Sequence, residues 1–110
     1  MSDVKKETIA RKNDEFRRTF SGGKVMLTAG VQNDSNLDRV IEAAKNFNDF
    51  NEGNDPYGEH DFGKITIGGE DYFWKVDYYA NSQCEFGFDF LDATEDTAFR
   101  VLTVMRTEEY

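Results

Sequence analysis

Side chains able to do acid–base or nucleophilic chemistry near neutral pH are few in this chain, and most fall in two short stretches. His60 is the only histidine, flanked by Glu59 and Asp61, with Asp55 five residues upstream. An imidazole titrates near neutrality and carboxylates are natural co-ligands, so this stretch has the composition of an acid–base or metal centre. Adjacent side chains on extended backbone point to opposite sides, which works against convergence. A zinc site also wants more nitrogen or sulfur ligands than a lone histidine supplies. The simpler reading is a loop histidine that fixes a turn, and neither metal nor cofactor is expected. The second stretch holds Lys75, Asp77 and Tyr78. Together with His60 these could form the proton-transfer set of a small hydrolase or nucleotide-processing enzyme, provided that all four line one pocket. The commoner role of Lys75 and Asp77, two apart on one strand face, is a solvated ion pair.

Other motifs are weaker. Residues 51–61 (NEGNDPYGEHD) are rich in Asn, Asp and Gly, as calcium loops are, but Pro56 and Phe62 fall where that loop needs Gly and Glu. Cys84 has no second thiol and no signature of a catalytic cysteine around it, so an inert thiol is expected. Gly22-Gly23-Lys24 and Gly68-Gly69 lack the spacing of a phosphate-binding loop and read as turns.

The elements that position these residues follow from periodicity. Residues 2–20 read as a helix with Ile9, Phe16 and Phe20 on its apolar stripe, stopped by Ser21-Gly22-Gly23. Residues 24–30 (KVMLTAG) read as a strand. Ser35, with Asp38 three residues on, resembles a capping box opening a helix whose apolar face is Leu37, Val40, Ile41, Ala44 and Phe47. Residues 62–67 and 71–79 read as strands joined through Gly68-Gly69, a strong hairpin signal. Tyr72, Trp74, Val76 and Tyr78 share one face of the second strand, while Phe73, Lys75, Asp77 and Tyr79 share the other. Residues 83–90 read as a further strand. A last helix is expected from about Thr94, burying Ala98, Val101, Leu102 and Met105. The order α-β-α-β-β-β-α predicts one α+β domain over residues 1–110, a two-layer fold with a mainly antiparallel sheet of about four strands and about three helices.

Composition bounds the class. A chain of 110 residues with 38% hydrophobic and 15% aromatic content has the rings to build one core despite a formal net charge of −9. A single cysteine excludes a disulfide scaffold. No apolar run approaches the roughly 18–20 residues that span a bilayer, and the first residues lack the apolar segment of a secretory signal. A cytoplasmic protein is expected.

The segments IARKNDEFRRTF, KVMLTAGV, NDPYGEHDFG, FWKVDYY and VLTVMRTEEY run through most of the chain in order. On them the chain resembles a family of short proteobacterial proteins, domain of unknown function 3768. The pair NDPYGEHDFG and FWKVDYY is the specific part. The resemblance implies a small intracellular protein, often encoded in plasmid-, phage- or island-like contexts, and brings no reaction with it. The segment CEFGFDFLDATED is more acidic and aromatic than a typical member's.

Charge is the most informative surface property. Residues 1–20 hold four acids and six bases, whereas residues 21–110 hold eighteen acids against seven bases. Such a body repels nucleic acid and membrane surfaces and attracts basic ones. Acidity for solubility alone is common. Here, however, the acids recur along the body and the bases concentrate at one end. Asp38 and Glu42 lie one helical turn apart, Asp49 and Glu52 follow them, and Glu85, Asp89 and Asp92 recur beside Phe88 and Phe90. Regularly placed carboxylates can imitate the phosphates of a duplex, and aromatic rings supply desolvated anchors. The expected function is a non-enzymatic protein that covers the basic nucleic-acid-binding surface of a partner. In a mobile-element setting its natural form is an inhibitor of host defence, anti-CRISPR or anti-restriction, acting as a nucleic-acid mimic. A homodimer assembled through the basic first helix is the structural alternative.

Overall fold

The computed structural model describes residues 3–79 and 98–110. Helix α1 spans Asp3–Thr19, strand β1 Gly23–Leu27, helices α2 and α3 Ala29–Gln32 and Leu37–Lys45, strands β2, β3 and β4 Phe62–Ile67, Glu70–Tyr79 and Phe99–Arg106, and a closing 3-10 turn Thr107–Glu109. The sheet order is β1-β4-β3-β2, with β2–β3 and β3–β4 antiparallel and β1–β4 parallel. The fold is therefore α+β, with three helices and a mixed four-stranded sheet among the described residues, in which the antiparallel pairings predominate.

Alternation along β3 makes the core. Tyr72, Trp74, Val76 and Tyr78 are buried with Leu102 and Val104 of β4 and Ile65 of β2. Onto this face α1 brings Ile9 and Phe16, α2 brings Val31, and α3 brings Val40 and Ala44, so the apolar stripes of all three helices meet one side of the sheet. Trp74 requires a glycine opposite it. Gly63 pairs with Trp74 across the β2–β3 ladder, and a Cβ there would sit 2.4 Å from Trp74 Nε1. The hairpin turn puts Gly68 and Gly69 at φ +60° and +82°, the left-handed pair that a two-residue turn of this twist demands.

The expected closing helix is instead β4. Ala98, Val101, Leu102 and Met105 are buried as expected. However, β4 lies inside the sheet between β1 and β3, and residues of both its faces are covered: Leu102 and Val104 on one, Val101 and Met105 on the other. A strand buried on both faces reads as a continuous apolar run, and such a run also satisfies a helical stripe. The β-branched Val101, Thr103 and Val104 favour the strand. Three smaller differences appear. β1 ends at Leu27, and Thr28 opens the short α2. Helix α3 starts after Asn36 rather than Ser35, with Asp34 Oδ1 accepting the Asn36 N–H at 2.8 Å. It ends at Lys45, leaving Phe47 beyond the helix but packed on the core. The strand expected over residues 83–90 and the start of the expected last helix lie outside the described residues.

Candidate functional site

The groups around His60 assemble from three parts of the chain. On α1, Ile9, Asn13, Phe16 and Arg17 follow helical spacing and all four are buried, so the apolar stripe carries two polar side chains inward. Arg17 is fully buried. Its Nη1 donates to the carbonyls of Ala44 (2.7 Å) and Lys45 (3.2 Å), and its Nη2 donates to Asp14 Oδ1 at 2.8 Å. Those carbonyls end α3 and lack helical partners, so the guanidinium caps one helix from another. It also lies 4.6 Å from the Trp74 ring and 5.6 Å from that of Phe50. Burial lowers its pKa, while Asp14 pulls the other way. The basic first helix thus packs on the body of its own chain.

Asn13 links the same helix to the sheet. Its Nδ2 donates to Tyr78 Oη (2.7 Å) and to the Glu59 carbonyl (2.9 Å), while Arg100 Nε donates to its Oδ1 at 2.7 Å. Burial pushes the Tyr78 phenol well up and the buried Arg100 down. Tyr78 is therefore a neutral hydrogen-bonding group here, not a ready proton donor.

The third part is the loop between α3 and β2. Asn51 Oδ1 accepts the N–H groups of Gly53 and Asn54, Asn54 Oδ1 accepts that of Asn51, and Asn54 Nδ2 donates to the Asp49 carbonyl. A second turn closes through Gly58 N–H to the Asp55 carbonyl at 3.1 Å, with Gly58 at φ +66°. The nearly buried Asp55 carboxylate accepts the N–H groups of Glu59 and His60, both at 3.2 Å. His60 adopts φ +54°, uncommon for a residue with a Cβ. Three contacts hold it there: the Asp55 bond, stacking on Phe50 at 3.8 Å and 3°, and Nδ1 at 3.0 Å from Asp14 Oδ2. Because a carboxylate only accepts, the Asp14 contact puts a proton on Nδ1. Nε2 lies 3.7 Å from Asp55. The ring borders a cleft of about 400 Å³ between α1 and the loop, lined in part by Arg11, Asp14 and Arg18. Among the described residues no three His, Cys, Asp or Glu side chains form a metal-binding group.

Two further carboxylates crowd this loop. Burial raises the pKa of Glu59, with Asp61 and Asp55 adding to the shift; burial likewise raises that of Asp61, helped by Asp55.

The four residues of the enzyme reading do not meet. Lys75 and Asp77 alternate with Trp74 and Val76 and so lie on the sheet face opposite the helices, joined to each other at 2.9 Å. His60 stacks on Phe50, which packs against Trp74 on the helix side. Tyr78 is also on that side, bonded to Asn13. The hydrogen bond to Asp77 raises the Lys75 pKa, holding it as an ammonium rather than a base.

Asp38, Glu42, Asp49 and Glu52 are all exposed, and no ion pair among the described residues engages them. At the other end of the sheet the acids are tied up. Arg106 reaches Asp34 (2.5 Å), Glu108 (2.6 Å) and Glu70 (2.7 Å), while Glu109 accepts from Thr28 and from the N–H groups of Gly30 and Arg106. Glu85, Phe88, Asp89, Phe90 and Asp92 lie outside the described residues. Reading the sequence missed Asn13, Asp14 and Arg17 as partners of the loop. The signal was present for two of them, since Asn13 and Arg17 share the helical face of Ile9 and Phe16.

Fold and site together define a small acidic α+β protein whose one histidine contacts Asp14 of α1 and stacks on Phe50 of the loop. A family model described as a protein of unknown function, DUF3768, matches residues 27–109, and the chain belongs to that family. The matched segment holds the loop, β2, β3 and β4, whereas α1 precedes it. No curated protein and no solved structure matches the chain. No helix among the described residues is long and apolar enough to cross a membrane.

Proposed function

We propose that this protein is a non-enzymatic, acidic interaction protein of the cytoplasm that covers a basic, nucleic-acid-binding surface of a partner protein and competes with nucleic acid for it. One observation carries the reading: Asp38, Glu42, Asp49 and Glu52 stand exposed in succession along α3 and the loop after it, with no ion pair among the described residues, while Arg17 and Arg100 are buried in the fold and Arg106 is held by three carboxylates. Asp38 and Glu42 are about 6 Å apart along the helix axis, a row of charge that steers a basic surface toward it. By sequence, Glu85, Asp89 and Asp92 with Phe88 and Phe90 extend the same acidic and aromatic character. An inhibitor of a host defence complex is the version that fits a mobile-element origin. Direct nucleic-acid binding is excluded from the proposal by the sign of the charge.

The test is competition. Purified protein added to a captured partner with its labelled nucleic acid should displace the nucleic acid, with a potency that falls steeply as salt rises. Displacement insensitive to salt, or unchanged by Asp38→Lys with Glu42→Lys, would refute the reading.

A further inference from the structure

Tyr57 is 69% exposed, a large ring left in water in the middle of a loop that is otherwise tightly bonded. It occupies the third position of the turn from Asp55 to Gly58, after Pro56, whose ring fixes the backbone before it. The base of that turn is fastened by Asp55 to two N–H groups and by His60 to Phe50 and Asp14. A tyrosine presented on an already ordered loop forfeits little conformational freedom on binding, and tyrosine is prominent among residues that dominate interface energy. The same loop carries the exposed carboxylates of Asp49 and Glu52, which draw a cation toward this segment.

We propose that Tyr57 is the anchor of the partner-binding surface and that its ring receives an arginine guanidinium of the basic partner. This rests on the acidic-surface reading above and names the contact that turns steering into a specific complex. Arginine is the fitting cation because its planar, weakly hydrated head stacks on an aromatic face, whereas the ammonium of lysine stays strongly hydrated.

The experiment uses the full chain with fluorescein-labelled deca-arginine and deca-lysine as probes, titrated by anisotropy over a salt series. Wild type should bind both peptides at low salt and deca-arginine more tightly. Tyr57→Ala should weaken deca-arginine about fivefold, the effect of roughly 1 kcal/mol, and deca-lysine by a smaller factor. Its salt slope should stay unchanged because no charge is removed, and Tyr57→Phe should retain wild-type affinity. Equal loss for both peptides, no loss for either, or failure of Tyr57→Phe would overturn the anchor while leaving the acidic surface standing. Absence of binding to either peptide by wild type would overturn the acidic-surface reading, and the anchor with it.

Discussion

Replacing Arg17 by alanine tests the largest single commitment of the structure. The side chain is fully buried, bonds two carbonyls at the end of α3, pairs with Asp14 and stacks against Trp74. Truncation leaves the carbonyls of Ala44 and Lys45 without their donor, leaves the Asp14 carboxylate with His60 as its remaining partner and opens a void beside the indole. Breaking a buried ion pair by removing one partner costs about 3–5 kcal/mol, which for a chain of this size lowers the melting temperature by about 12–20 °C. The assay is urea denaturation followed by Trp74 fluorescence, because the indole lies directly under the guanidinium. Arg17→Met should cost less, since it keeps apolar contact with the ring. Adding Asp14→Asn to Arg17→Met should cost less than the two single changes summed, because each single change already removes the Arg17–Asp14 pair. A loss below about 1 kcal/mol for Arg17→Ala would refute the view that this guanidinium joins α1 to α3.

Other expectations follow from the same contacts. Gly63→Ala should destabilise by about 1–3 kcal/mol, read from the urea midpoint, because the added methyl meets Trp74 Nε1 at 2.4 Å. Asp55→Ala should free the N–H groups of Glu59 and His60 and cost about 1–3 kcal/mol, with hydrogen exchange rising first at residues 58–60. The raised pKa of Asp61 has a defined sign: the folded state holds its proton more tightly than the unfolded chain, so its contribution favours folding at low pH and declines as pH rises from the ordinary carboxylate range through the folded value. Asp61→Asn should therefore stabilise the protein at pH 7 relative to wild type, and that gain should vanish in thermal melts near pH 4. Glu108 and Glu109 run the opposite way: pairing with Arg106 and with Thr28 lowers their pKa values, so the closing turn should loosen as pH falls through those values, visible as amide exchange at residues 107–110.

Local periodicity made much of this fold legible. The alternation of Tyr72, Trp74, Val76 and Tyr78 against Phe73, Lys75, Asp77 and Tyr79 identifies a half-buried strand without tertiary information, and Gly68-Gly69 identifies its hairpin. β4 was not legible in the same way, because burial on both faces erases the period that separates strand from helix. The parallel pairing of β1 with β4 joins residues more than seventy positions apart, and no local pattern encodes it. The site behaves similarly. That Asp55 could fasten the turn before His60 is a short-range inference, but the contact of His60 with Asp14 crosses 46 positions. Arg17 was readable as inward-facing from its spacing with Ile9, Asn13 and Phe16; the charge made it look like surface. Exposure of Tyr57 opposes its hydrophobicity, so only the structure separates it from the core aromatics.

The central claim is that exposed carboxylates on α3 and its following loop recruit a basic, nucleic-acid-binding partner. Affinity capture from the source cells' lysate, run in parallel with wild type and with Asp38→Lys combined with Glu42→Lys, and eluted on a salt gradient, tests it most directly. The account expects a nucleic-acid-binding protein that wild type retains, that moderate salt releases, and that the charge-reversed variant fails to hold. Retention that survives both high salt and charge reversal, or no partner beyond the protein itself, would contradict it.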